Sequence, residues 1–367
     1  MLKRAISLLS VTALVLLLSP SAQATGDARS RSASTASDGY RVTRLVSDQP
    51  GMAAHLDPNL VNAWGLVAGP TTPWWVADNG TNRSTIYDHN GAAIPLVVKV
   101  PDAPTGTVFN GGSGFVVHHL GASGPSVFLF STEGGTIRGW NPGVPPPSPS
   151  TMAFKVVDRS GVGAIYKGLA IASGRFHDFL YATDFHNARV DVFDDSFHLV
   201  TRPGAFTDPN LPAGFAPFGI QAINGRIFVT YAMQDANAED EIAGTGLGFV
   251  DMYGIHGRLL GRVASRGALN APWGLAWAPS DFGRFSDDLL VGNFGDGRIN
   301  AYEPQANGTF EPAGALRRQS GSVITIDGLW AIEFGNGGAA GQTNSLFFTA
   351  GPDDESHGLF GRIRAAA

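Results

Sequence analysis

Asn62-Ala-Trp-Gly-Leu-Val and, far downstream, Ala271-Pro-Trp-Gly-Leu-Ala-Trp are two copies of one phrase: a polar or small residue, a large aromatic, a glycine, then an apolar strand. Looser copies stand between and after them, as Gly112-Ser-Gly-Phe-Val-Val, Tyr166-Lys-Gly-Leu-Ala-Ile, Pro217-Phe-Gly-Ile-Gln-Ala and Asp327-Gly-Leu-Trp-Ala-Ile. With Gly65, Gly114, Gly168, Gly219, Gly274 and Gly328 as markers, the spacings are 49, 54, 51, 55 and 54 residues. A fixed period of about 50 residues without helical periodicity is the signature of small sheets repeated around an axis.

Each marker leads to a second apolar strand, a polar turn and a third, alternating strand. Blade one offers Trp74-Trp-Val-Ala-Asp-Asn and then Ser84-Thr-Ile-Tyr-Asp; blade three offers Phe179-Leu-Tyr-Ala-Thr-Asp and then Ala188-Arg-Val-Asp-Val-Phe-Asp. An unbroken apolar run suits a strand covered on both faces, and alternation suits one nearer the rim. The expected fold is all-β: a six-bladed β-propeller of four-stranded antiparallel blades over residues 40–364, with a short tail at 365–367. Arg41-Val-Thr-Arg-Leu-Val is expected to join the last blade as its outer strand and close the ring without a bare edge. Two β-sandwiches would not repeat one phrase at near-constant spacing through the chain.

Composition agrees. The 367 residues include 48 Gly and 23 Pro, and only 15% are charged, which suits many short strands joined by tight turns. A net charge of −6 argues against a nucleic-acid partner. With no cysteine there are no disulfides and no thiolate metal sites.

Residues 1–24 read as a cleaved signal peptide: Lys3 and Arg4, an apolar run from Ala5 to Leu18, and the small-x-small pattern Ala22-Gln-Ala24. The run is short of the ~20 residues a bilayer span needs. Residues 25–39, rich in Ser, Ala, Arg and Asp, read as a disordered linker. The expected product is a secreted monomer in the extracellular or cell-envelope space, with an extracellular ligand or protein as partner and no membrane span once the leader is removed.

Asn62-Ala-Trp-Gly-Leu, Ala271-Pro-Trp-Gly-Leu-Ala and Asp327-Gly-Leu-Trp-Ala-Ile together resemble a poorly characterised bacterial family of exported six-bladed propellers, over nearly the whole mature chain. In fold alone the repeat is similar to NHL-repeat and gluconolactonase-type propellers, some of which hold calcium in the channel and hydrolyse lactones. Fold does not dictate function, and the metal ligands of those propellers have no residue-by-residue match here.

In a propeller the residues before the first strand and after the second meet around one mouth of the channel. At the first position stand Asn62, Asn110, Lys167, Asn270 and Asp327; at the second Asp78, Asn79, Glu133, Asp184, Asn293 and Asp353. As metal ligands, Asn62, Asp78, Glu133, Asp184, Asn293 and Asp327 would make an oxygen-rich ring for calcium. As turn residues, Asp and Asn simply accept backbone hydrogen bonds. Both readings stay open. Asn110, Asn270, Asp353 and His357 would line the ligand mouth. Lys167 is the one cation, with Asp184 as its expected partner, and Asp184, His186 and Lys167 are the candidate catalytic groups. The loop Gln234-Asp-Ala-Asn-Ala-Glu-Asp-Glu has alternate acids like a calcium loop, yet carries Asp240 where such a loop needs glycine. Trp64, Trp273 and Trp330 read as wedges between blades. His118-His119 is expected at the opposite mouth, and Ser113 lacks the setting of a hydrolase nucleophile. Two functions follow: a propeller that binds a ligand or partner at an acidic mouth, or a calcium-dependent hydrolase or lactonase-like enzyme using the same channel.

Overall fold

A computed structural model describes residues 39–175 and 177–366. The expected leader and nearly all of the expected linker lie outside the described residues. Six antiparallel sheets form the blades of a propeller, and their innermost strands pack one against the next until the last meets the first. Those inner strands are Ala63–Val67, Pro104–Phe109, Tyr166–Ser173, Phe215–Ile223, Pro272–Trp277 and Leu329–Phe334. The second strands are Trp74–Asp78, Phe128–Thr132, Asp178–Asp184, Arg226–Gln234, Leu289–Asn293 and Leu346–Ala350. Nearly every residue of these second strands is buried, which is why they read as unbroken apolar runs.

The ring closes as expected. Strand Tyr40–Ser47 lies antiparallel to Leu359–Ala365, in register from Tyr40 opposite Ala365 to Ser47 opposite Leu359, with a bulge between Arg44 and Val46. The pairing reaches slightly further than expected at both ends, since the Ala366 amide donates to the Gly39 carbonyl at 2.8 Å.

One inner glycine recurs because neighbouring blades leave no room for a side chain beside it. A Cβ on Gly168 would stand 2.8 Å from the Phe218 carbonyl oxygen, and one on Gly274 would stand 2.5 Å from that of Trp330. By this criterion two sequence markers were misplaced. Blade two begins at Pro104–Phe109 and its glycine is Gly106, pressed against the Leu169 amide. The copy around Gly114 instead leads into Val116–His119, half of a separate hairpin with Ala122–Pro125. His118 and His119 therefore lie on an inserted ribbon rather than at a channel mouth. In blade six the equivalent position is Ala331, after Trp330, and not Gly328.

Blade three departs from four strands. Beyond Arg189–Asp194 the chain turns back, and Leu199 forms one bridge to Phe193 before the pairing ends. Pro203, which has no N–H to give, follows shortly after.

Candidate functional site at the channel mouth

The residue just before the crowded inner position (Gly65, Gly106, Gly168, Gly219, Gly274 or Ala331) is Trp64, Thr105, Lys167, Phe218, Trp273 or Trp330, and contacts across the ring show all of these but Thr105 converging on the channel. Trp64 and Trp330 lie 3.7 Å apart by ring centroid, with Trp273 edge-on to both. Phe218 meets Trp330 at 5.9 Å. The Lys167 ammonium stands 5.2 Å from the centroid of Trp64. Aromatic rings thus plug the channel. Below the plug, Gln221 from blade four donates to Glu333 from blade six at 3.0 Å, beside a cavity of about 20 Å³, room for one water. Burial pushes the Glu333 carboxyl up to about 8.

Above the plug a polar network spans half of the mouth. Asn62 adopts a left-handed φ of 45°, which asparagine tolerates. Its Oδ1 accepts the indole N–H of both Trp64 and Trp330 at 2.9 Å. Its Nδ2 donates to Glu355 at 2.5 Å and to Asn79 at 3.3 Å. Asn79 passes the chain on to Glu133 at 2.9 Å. Glu133 accepts from Lys167 at 2.6 Å, and Lys167 reaches Asp240 at 2.9 Å. Burial pulls the Lys167 ammonium down, but attraction to Glu133, Glu241 and Asp240 outweighs it and holds the group charged. Burial also pushes Glu241 up to about 8 against the pull of Lys167, and raises Glu355 despite its bond from Asn62. Several carboxyl groups therefore gather near one ammonium, and burial disfavours the ionised form of two of them, Glu241 and Glu355.

The other half of the mouth is apolar. The residue just after the second strand is Asn79 in blade one and Glu133 in blade two, but Phe185 in blade three and Phe294 in blade five. Phe294 stacks on Trp330 at 4.1 Å and Phe185 packs on Phe218 at 5.3 Å.

The network brings together Asn62, Asn79, Glu133 and Lys167 from the residues expected at the mouth. The rest of the expected calcium set does not join them. Asp78, Asp184 and Asn293 close their second strands, one residue before the position that faces the channel, and a one-residue step in a strand turns the side chain to the other face. Asp78 is buried against Thr85 and Asp57, and burial raises its carboxyl well above the ordinary range. Asp184 accepts from the Ile165 and Asn187 amides and the Asn187 side chain, and faces Arg189 at 3.1 Å. It does not pair with Lys167. Asn293 donates to the Ala268 carbonyl and Asp296. Asp327 is exposed and accepts the Asp353 amide, so both serve the blade-six turn.

Asn110 follows the inner strand of blade two and belongs to the opposite end, where it donates to the Ser126 carbonyl. Asn270 accepts the Gly244 amide and pins the blade-four loop. His186 meets the Ala238 carbonyl at 3.2 Å and not Asp184; His357 pairs with Asp48 at 2.8 Å. Asp235 accepts the amides of Asn237 and Glu239, which makes its loop a capped turn. Among the described residues no three His, Asp or Glu side chains are disposed to hold a metal ion. Where Glu133 and Asp240 do converge, the Lys167 ammonium fills the cation position. These residues do not fit calcium.

The fold and mouth define a six-bladed propeller with a plugged channel and a two-sided opening. No family model matches the chain. It is 34% identical over 339 residues to an uncharacterized protein of Acanthamoeba polyphaga mimivirus, covering 88% of this chain and 80% of that one. A second mimivirus protein, also described as uncharacterized, is 32% identical over 341 residues, covering 88% and 85%. The chain belongs to the family of these two proteins. The sequence resemblance pointed to bacteria, whereas these relatives are viral. Among solved structures it is similar to a streptogramin B lyase at TM-score 0.50 and 12% identity, covering 91% of this chain and 100% of the lyase. A virginiamycin B lyase from Staphylococcus aureus gives 0.47 and 11%, covering 89% and 100%. At such identities the likeness speaks of fold alone.

Proposed function

We propose that this protein is an exported propeller whose channel mouth binds a ligand bearing an amine and an apolar face. The observation that carries the reading is the buried Lys167, bracketed by Glu133 and Asp240 from different blades above an aromatic floor. Burying an ion network is an expensive way to hold a fold together, because apolar replacements are often as stable. Such networks cluster at functional sites. Four carboxyl groups surround a single ammonium there, and burial disfavours the ionised form of two of them, Glu241 and Glu355. An incoming amine offers these carboxyls a second counter-charge, while the half-buried Phe294 offers its apolar part a surface. Export rests on the leader pattern in residues 1–24.

Thermal melting tests the site. Benzylamine is expected to raise the melting temperature, more at pH 8 than at pH 5, and Glu133→Gln is expected to abolish the shift. Benzyl alcohol, which lacks the charge, is expected to do nothing. No response to benzylamine overturns the reading. A shift with calcium, magnesium or manganese that a chelator reverses favours the calcium-dependent hydrolase instead.

A further inference from the structure

A cavity of about 220 Å³ lies away from the mouth, on the flank of blade three, where the fourth strand fails to form. It is walled on one side by strand Arg189–Asp194 and on the other by the chain from Leu199 to Phe206, which pairs with that strand only around Leu199. Phe179, Val190 and Phe206 give it an apolar lining, and three arginines stand around it: Arg159, Arg189 and Arg202.

Two of these arginines are held by a buried carboxylate. Asp191, only 5% exposed, faces the Arg189 Nε at 2.8 Å and the Arg159 Nε at 3.6 Å, and accepts the Tyr166 hydroxyl at 2.8 Å. Arg189 also reaches Asp184 at 3.1 Å. A guanidinium has five N–H donors, so fixing each group by its inner edge leaves outer donors for another acceptor. Arg202 is exposed, lies over the Phe179 ring at 5.5 Å, and has no carboxylate partner among the described residues. Three cations thus outnumber Asp191 and Asp184, and Asp184 is pushed toward its neutral form by burial.

We infer that this flank cavity is a second binding site, for a small organic carboxylate with a flat apolar body. The arginines match a carboxylate in charge and in the bidentate geometry of their N–H pairs. The aromatic and valine lining takes the apolar part, and the volume limits the ligand to a compact one. The site shares no residue with the mouth and stands or falls independently of it.

Calorimetric titration of the full chain with benzoate tests the site. Saturable binding of one benzoate per chain is expected. Arg202→Ala, a surface change that breaks no ion pair, is expected to weaken it about tenfold. Thr201→Trp, on the exposed rim, is expected to block it by filling the cavity. Glu133→Gln, at the mouth, is expected to leave it unchanged. Inorganic phosphate and benzyl alcohol each supply half of the recognition and are expected to bind far more weakly. The inference is overturned if benzoate does not saturate, if phosphate binds as tightly as benzoate, or if neither Arg202→Ala nor Thr201→Trp changes the affinity.

Discussion

Replacing Lys167 by Met removes the charge at the centre of the mouth while keeping an unbranched apolar stem against Trp64. Deleting one member of a fully buried ion pair costs about 3–5 kcal/mol, and an exposed pair is worth about 0–1 kcal/mol. Lys167 is 1% exposed, Glu133 30% and Asp240 71%. Asp240 therefore counts as a surface partner, and most of the cost falls on Glu133, left half-buried without a counter-charge. The expected loss is about 2–3 kcal/mol, or about 3–5 °C of melting temperature for a domain of this size. The loss also carries a pH signature. A carboxyl left without its counter-charge is no longer penalised once it carries a proton, so the loss is smallest in acid and largest at higher pH. The gap between wild type and Lys167→Met is expected to be small at pH 5 and full at pH 8. Adding Glu133→Gln to Lys167→Met removes the stranded charge and is expected to restore at least half of the loss. Calorimetric melting of the four proteins at both pH values decides it. If Lys167→Met melts like wild type at pH 8, or if the double variant is no better than the single, the network does not hold the mouth.

Two further outcomes can be checked on the same footing. Gly274→Ala places a methyl 2.5 Å from the Trp330 carbonyl oxygen, and since backbone must move to admit it, a loss of more than about 3 kcal/mol in chemical unfolding is expected. Glu333 is raised by burial from 4.5 to about 8, so it stabilises the fold below its unfolded value and that contribution is lost as pH climbs through about 8. The full shift sets a ceiling of about 5 kcal/mol, and with partial exposure to the channel about 1–2 kcal/mol is expected. Glu333→Gln is therefore expected to flatten the fall in stability between pH 5 and pH 8, and an unchanged slope would count against a protonated Glu333.

The fold was legible because the inner glycine is imposed by backbone crowding between blades, which no other residue relieves as well. Where the wedge before the glycine is Thr105 rather than an aromatic, the phrase fades, and the hairpin after Phe115 supplied a decoy with its own glycine and apolar run. The site was legible by halves. Asn62, Asn79, Glu133 and Lys167 sit at positions fixed by strand ends, which repeat spacing locates well. Asp78, Asp184 and Asn293 are one residue away, a distance the repeat does not resolve and the pleat inverts. Asp240, Glu241 and Glu355 come from long turns whose reach depends on how each loop folds back. The acid-rich stretches around them were visible, but not which acid points inward. The aromatic half of the mouth, Phe185 and Phe294, gave no signal because a phenylalanine after an apolar strand reads as more strand. The flank cavity was hidden for a related reason: it exists where a strand is missing.

The joint between Tyr40–Ser47 and Leu359–Ala365 ties the earliest residues of the propeller to the latest. During synthesis the first strand waits for its antiparallel partner until Leu359–Ala365 has been made. No partial product can lock, because the clasp is its own last piece. A chain passing N-terminus first through any narrow passage would emerge with its ring still open and snap shut only on the far side.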